Sequence, residues 1–441
     1  MVCREKPDQA YALFLPSAYA ADRPAPIVYL LDARGRALAA LETFRAAAEE
    51  YGWIVASSYN SRSDTKDDPN TPAVQAMWND THATLAIDPK RTYVGGFSGG
   101  ARAAVALAFQ APRSIAGVFG CGAGFPDQKR PLSNPPLAYF GTAGDRDFNY
   151  YEMRALDADL DRARSPHRIA FFDGGHDWPP PAVAERGVVW MEVAAMKSGA
   201  RAADSNLAAR LLASDLAEAD ALASAGRRPE ASIRYAQAAE DYRGLADVEA
   251  AARKAEALGA EADVRKALRD ATRRDDRDRG TLKTLSQKLN AASRDPDIPA
   301  AAALAADLGI PALKHRSATG SPEERLSAER ILANLRVETS FYLPEGLLAR
   351  GDAAHARLML AVAAEIDPDD PRVDYNLASL EARSGRAQKA RRELERAVAK
   401  GFRRFDLLDQ DPDFTSLRAD PDFQKWLAQT RERASGSAAG P

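Results

Sequence analysis

Arg91-Thr92-Tyr93-Val94-Gly95-Gly96-Phe97-Ser98-Gly99-Gly100-Ala101-Arg102-Ala103-Ala104-Val105 is the stretch on which the fold turns. Arg91 to Phe97 reads as a strand, and Ala101 to Gln110 as an alanine-rich helix. Between them Gly96-Phe97-Ser98-Gly99-Gly100 matches G-x-S-x-G. Five letters alone describe any glycine-rich turn. With a strand before and a helix after, they predict a sharp turn that holds Ser98 in strained dihedrals, with glycines where a Cβ would collide. Such a turn lifts the hydroxyl above the sheet. It also offers the free N–H groups and dipole of the helix start, Gly99 first, to a developing oxyanion. Ser98 is therefore the expected nucleophile.

Working outward, strand and helix signals alternate through the first 200 or so residues. Ala10 to Pro16 is an early strand stopped by proline, and Pro26-Ile27-Val28-Tyr29-Leu30-Leu31 is a continuous apolar run suited to a strand buried on both faces. A helix is expected over Ala37 to Tyr51, and strands over Trp53 to Ser58, Ile115 to Gly120, Pro136 to Gly141 and Arg168 to Asp173. This alternation implies βαβ units and a mainly parallel sheet.

A serine hydroxyl needs a base, and an elbow of this kind takes its partners in the order Ser, then Asp or Glu, then His. The chain has five histidines. His82 precedes the elbow on an expected helix, and His315 and His355 fall in a helical region as surface or packing residues. His167, in Ser165-Pro166-His167-Arg168, is expected to face solvent. His176 remains, on the glycine-rich loop Phe172-Asp173-Gly174-Gly175-His176-Asp177-Trp178 after the last strong strand. The acid is sought at the end of the preceding strand, where the loop Gly141 to Asn149 offers Asp145 and Asp147. One of the two is the orienting acid and the other a turn former. The second oxyanion donor is expected from Asp32-Ala33-Arg34-Gly35, with Ala33 and Arg34 as candidates.

Composition narrows the partners. Across 441 residues, 60 Lys and Arg stand against 63 Asp and Glu, a net charge of −3. That balance gives no electrostatic case for nucleic acid or an anionic membrane. Cys3 and Cys121 make neither a disulfide framework nor a metal-ligand spacing and read as buried thiols. No apolar run is long enough to span a bilayer, and no signal peptide is visible. The chain as written is expected in the cytoplasm; an export signal upstream of Met1 would make it periplasmic or secreted.

After about Ser198 the strand signals stop, and Ala, Arg, Glu, Asp and Leu dominate. Gly351, Ala356, Ala363 and Pro368 are followed 34 residues later by Gly385, Ala390, Ala397 and Phe402, and Gly226, Ala231 and Ala238 share the first three offsets. Small residues let paired helices approach, and the glycine permits the turn between them. Asp-Pro-Asp-Phe occurs at 411 and again at 420, as expected of a capping helix pair. The expected organisation is a catalytic domain over 1–198, a helical region with a degenerate repeat over 199–330, repeats and a cap over 331–435, and a disordered tail over 436–441.

Together, the Gly96–Gly100 elbow, the Gly141–Asn149 phrase and Gly174-Gly175-His176-Asp177-Trp178 make residues 8–196 resemble the α/β-hydrolase superfamily. The likeness is nearest to dienelactone hydrolases, feruloyl esterases and polyhydroxyalkanoate depolymerases. The 34-residue offsets resemble tetratricopeptide repeats. The resemblance implies a mostly parallel sheet followed by an all-α domain, with hydrolysis of a carboxylic ester or related acyl bond through an acyl-enzyme. It implies no metal or organic cofactor. It favours Asp147 as the acid, because Asp-Phe-Asn recurs at that position in related esterases. The chain departs from the pattern at Asp32-Ala33, where these families usually show His-Gly, and Arg34 is placed to aim a charge at a substrate carboxylate. That departure motivates a rival reading as an inert scaffold whose repeats bind a protein partner; a serine peptidase is a further rival. The short stretch between elbow and acid strand leaves no room for a large lid, so an open site for small or extended substrates is expected.

Overall fold

The computed structural model describes residues 1–63, 65, 67–126 and 137–436. The chain divides into two compact units, Met1–Asp276 and Arg277–Pro441. Pro136, where a strand was expected to begin, and nearly all of the expected tail lie outside the described residues.

The first unit is built on seven strands: β1 (Tyr11–Phe14), β2 (Ala25–Asp32), β3 (Ile54–Ser58), β4 (Ile87–Phe97), β5 (Gly117–Cys121), β6 (Ala138–Gly144) and β7 (His167–Phe172). They lie in the order β1-β3-β2-β4-β5-β6-β7. β1 runs antiparallel to β3, and every other pairing is parallel. The connecting helices are α1 (Ala37–Tyr51), α2 (Asn70–His82), α3 (Gly99–Gln110), α4 (Tyr150–Ala163) and α5 (Pro181–Ser198).

Why β2 reads as unbroken apolar sequence is visible in its packing. Ile27, Tyr29 and Leu31 enter one core with Met77 of α2, Ala104 and Val105 of α3, and Met153 and Leu160 of α4. Val28 and Leu30 enter the opposite core with Phe44 of α1 and Val188 and Met191 of α5. With both faces covered, every position from Ala25 to Leu31 is apolar, and each large side chain removed from water contributes about 1.5–3 kcal/mol. Glu192 of α5 is fully buried, and accepts hydrogen bonds from Trp53 Nε1 at 2.6 Å and Arg91 at 3.1 Å.

Two expected strand limits are corrected. β4 begins at Ile87, four residues before Arg91, its polar entry pairing with Ala25 ahead of a register shift. β6 continues past Gly141 to Gly144, where Gly144 pairs with Phe172. A Cβ on Gly144 would stand 2.2 Å from the Gly175 carbonyl oxygen, so the absent side chain lets the loop after β7 lie against the strand.

Helices follow from α6 (Ser205–Ser224) and α7 (Arg228–Asp241) to the end of the described chain, with an isolated bridge between Arg243 and Ala246. α6 and α7 join α5 in one cluster, with Leu207, Leu211 and Tyr242 against Val193 and Met196. The predicted offsets have clear physical content. Gly226, Gly351 and Gly385 all have positive φ, at 77°, 79° and 70°. Ala231, Ala238, Ala356, Ala363, Ala390 and Ala397 are all fully buried. In the tail of the second unit, Asp411 and Asp420 each accept the amide two residues on, and Phe414 and Phe423 are buried. Among the described residues no helix is long and apolar enough to cross a membrane.

Candidate active site

The sheet order changes direction at β2. From there the chain passes to β3 on one side and then returns to β4 on the other. In open parallel sheets the crevice at such a switch, outside the carboxyl ends of the strands, is where ligands bind. Ser98 follows the last residue of β4, and Asp32 ends β2.

Ser98 has φ 57° and ψ −122°, one of two non-glycine residues with positive φ among those described. Its neighbours explain how the turn holds it. A Cβ on Gly96 would lie 2.3 Å from the Gly100 carbonyl carbon, one on Gly100 would lie 2.2 Å from the Leu31 oxygen, and one on Gly99 would lie 2.1 Å from Ser63 Cβ. The Ser98 amide donates to Cys121 O at 2.8 Å, locking the elbow to β5. Its carbonyl accepts from Ala101 at 3.0 Å, so the Gly99 amide precedes the first backbone bond of α3.

His176 Nε2 lies 2.9 Å from Ser98 Oγ, and Nδ1 lies 2.9 Å from both carboxylate oxygens of Asp147. With Nδ1–H donating to Asp147, Nε2 is left to accept the serine proton. Asp147 is buried, and its Oδ1 also accepts the Asn149 amide at 2.8 Å. The ring of His176 sits between Phe97 and Phe148, at centroid distances of 4.6 and 4.2 Å. Its side chain is 20% exposed, whereas that of Asp147 is shut away from water. Asp145 instead accepts the Gly174 amide at 3.1 Å and anchors the histidine loop upstream.

The two oxyanion candidates on the β2 loop differ. The Arg34 amide donates to Asp32 Oδ1 at 2.8 Å and is turned inward. Ala33 uses its carbonyl to accept Ser63 N at 3.0 Å.

The remaining histidines stand apart. His82 stacks on Trp78 at 4.1 Å, and its Nδ1 lies 2.9 Å from the Trp78 carbonyl oxygen. His355 pairs with Asp352 at 2.7 Å in the second unit. His167 corrects the expectation of a solvent-facing side chain: it is buried, with Nε2 3.3 Å from Asp157, because α4 brings a carboxylate to the start of β7. Cys121 is buried, and burial pushes its thiol up to about 12, so it stays protonated. Among the described residues no cluster of His, Cys, Asp and Glu is arranged to hold a metal ion. A cleft of about 910 Å³ lies at the opposite, amino ends of β5–β7, beside Arg113 and His167, away from this constellation.

The bond between Asp32 and Trp178 was not among the sequence expectations. The Trp178 indole Nε1 donates to Asp32 Oδ2 at 2.8 Å, and Asp32 is also paired with Arg36 at 3.0 Å. The signal was present in the sequence, since a carboxylate ending a doubly buried strand demands partners.

The sheet order, the strand-to-helix elbow and the chain order of serine, aspartate and histidine define the α/β-hydrolase fold, here followed by an all-α region. Among solved structures the chain is similar to an S-formylglutathione hydrolase from Staphylococcus aureus, at 15% identity over 42% of this chain and 90% of that one, with a TM-score of 0.34. It is also similar to a ferulic acid esterase, at 17% identity over 41% of this chain and 89% of that one, with a TM-score of 0.33. An S-formylglutathione hydrolase from Agrobacterium tumefaciens is similar at 12% identity over 42% of this chain and 88% of that one, with a TM-score of 0.33. No known family profile matches the sequence, and no curated protein matches it.

Proposed function

We propose that the protein is a serine hydrolase that cleaves a carboxylic ester or related acyl bond through Ser98, His176 and Asp147. The observation that carries this reading is the continuous relay from Asp147 through His176 to Ser98 Oγ, with 2.9 Å at each contact. His176 Nε2 takes the hydroxyl proton as Ser98 Oγ attacks the acyl carbon, and Asp147 stabilises the imidazolium that forms. The Gly99 amide, with the Ala33 amide as second donor, holds the tetrahedral oxyanion. His176 returns the proton to the departing alcohol, leaving Ser98 acylated. Water, deprotonated by the same nitrogen, then attacks the acyl-enzyme and releases the acid. The helical repeats take no part in the chemistry and are assigned a packing or protein-binding role.

The test is turnover of a short-chain p-nitrophenyl ester by wild type, Ser98→Ala and His176→Ala. Both variants should lose at least about a thousandfold in kcat while keeping their fold, as removal of a triad member does elsewhere. A wild type that is inert across the ester series and also refuses a fluorophosphonate overturns the reading and leaves a binding scaffold.

A further inference from the structure

The last residue of β2 is a carboxylate shut away from water. Asp32 is fully buried, and an ionised carboxylate in such a place is unfavourable unless its lone pairs are met. Oδ1 accepts from the Arg34 amide at 2.8 Å, the Arg36 amide at 3.1 Å and Arg36 Nε at 3.1 Å. Oδ2 accepts from the Arg36 guanidinium at 3.0 Å and from Trp178 Nε1 at 2.8 Å. Burial works against the charge, but the bonds from Arg36, Trp178 and the two amides outweigh it and hold the carboxyl below the ordinary aspartate range. Every donor except one comes from the turn that follows Asp32. The exception, Trp178, is 146 positions away, two residues past His176.

That exception bears on the base. Upstream, the loop carrying His176 is held by Asp145 Oδ1 on the Gly174 amide at 3.1 Å and by the Arg146 amide on the Gly174 oxygen at 2.8 Å. Next come Gly175, which has open space where a Cβ would stand, and His176 itself. Downstream, Trp178 is buried, with its ring 5.7 Å from Phe97 and 6.3 Å from Phe44. Ring packing sets the depth of the indole, while the bond to Asp32 sets its rotation and its place along β2. Phe97 touches both Trp178 and His176 and immediately precedes Ser98, so nucleophile and base are referenced to the same two strand ends.

We propose that Asp32 is a positioning residue: through Trp178 it fixes the loop that carries His176, and so the approach of Nε2 to Ser98 Oγ. The proposal rests on the triad reading above and concerns no group that touches the reacting atoms. Misplacement by about 1 Å at a reacting centre costs on the order of a hundredfold, so partial release of one loop end should cost about tenfold.

The test uses Trp178→Phe, which keeps a ring against Phe97 and removes the Nε1–H donor, beside Asp32→Asn. Wild type and Ser98→Ala are measured first on the p-nitrophenyl ester. If wild type is inert, or Ser98→Ala is active, the triad reading fails and this proposal falls with it before any other variant is compared. With that reading intact, Trp178→Phe should lower kcat about tenfold, leave KM within about twofold, and slow fluorophosphonate labelling of Ser98 by the same factor. The double variant should be no slower than the slower single one, because both break one link. A Trp178→Phe protein with lower thermal stability but unchanged kcat and labelling rate overturns the proposal, as do effects that multiply independently. If Asp32→Asn does not fold, Trp178→Phe alone decides.

Discussion

Gly100, two residues after Ser98, and Gly351, between two helices of the second unit, are the same residue for different reasons. A Cβ on Gly100 would stand 2.2 Å from the Leu31 carbonyl oxygen, although its φ is not positive. Gly351 has φ 79° and nothing within 4 Å of where its Cβ would be. Gly226 and Gly385 repeat the second situation. Gly100 is thus one of the tertiary glycines, fixed by a backbone that approaches from another strand. Those of the repeats are local, fixed by the dihedral of a single turn. A sheet-end active site assembles pieces distant in sequence, and so tolerates substitution poorly; a helical turn needs only its own residue.

Replacing each glycine by alanine should separate the two kinds, and the larger effect is expected at Gly100. Gly100→Ala forces backbone against backbone, which overpacks the elbow at about 1–3 kcal/mol. It should also displace Ser98 and lower ester turnover about a hundredfold. Denaturant unfolding beside kcat measures both at once. Equal activity in Gly100→Ala and wild type would break the comparison, because the crowding would then have no consequence for the site.

Gly351→Ala is the smaller and local case. An L-residue in the left-handed region costs about 1–2 kcal/mol, and the open surroundings add nothing to it. Unfolding of the helical region should shift by that amount, with ester turnover unchanged. Gly351→Asn should recover part of the loss, because asparagine tolerates this conformation. If asparagine gives no recovery, the cost lies in packing rather than in the dihedral, and the contrast with Gly100 disappears.

The same division governs what could be read from the chain. β2 was legible because burial on both faces makes it apolar from Ala25 to Leu31, and α1 was found over Ala37–Tyr51, the limits expected for it. The repeat offsets were legible because a fixed spacing of glycine and alanine is local information, and all six alanines are fully buried. The elbow and His176 could be singled out as candidates because the chemistry sought restricts both residue type and chain order, and the structure brings His176 to 2.9 Å from Ser98. β6 was drawn too short because Gly141-Thr142-Ala143-Gly144 has little intrinsic preference for a strand and is held there by pairing with β7. The start of β4 was hidden for a similar reason, since Asp88 and Lys90 carry no strand signal of their own. The link from Asp32 to Trp178 spans 146 positions and leaves no periodic trace.

His167 gives the finest contrast, because it lies in the same unit as His176 but is buried against carboxylates away from Ser98. It is buried at the start of β7, with Nδ1 2.8 Å from the Ser165 oxygen and Nε2 3.3 Å from Asp157 and 3.6 Å from Asp161. Burial alone would lower its pKa. The Asp157 carboxylate, with the Ser165 carbonyl and then Asp161, outweighs burial and holds the imidazole above the ordinary histidine value. The folded state therefore binds this proton more tightly than the unfolded chain, and unfolding free energy must fall wherever the difference is being titrated. The contribution is complete below an ordinary histidine pKa of about 6.5 and is lost as pH rises through the raised folded value. Unfolding curves of wild type and His167→Gln, taken at intervals from mildly acidic to mildly alkaline pH, isolate it from every other group as a difference. Wild type should lose its margin over the variant as pH rises. A margin that is constant, or that grows with pH, would mean that burial wins over Asp157 and that this histidine is held neutral.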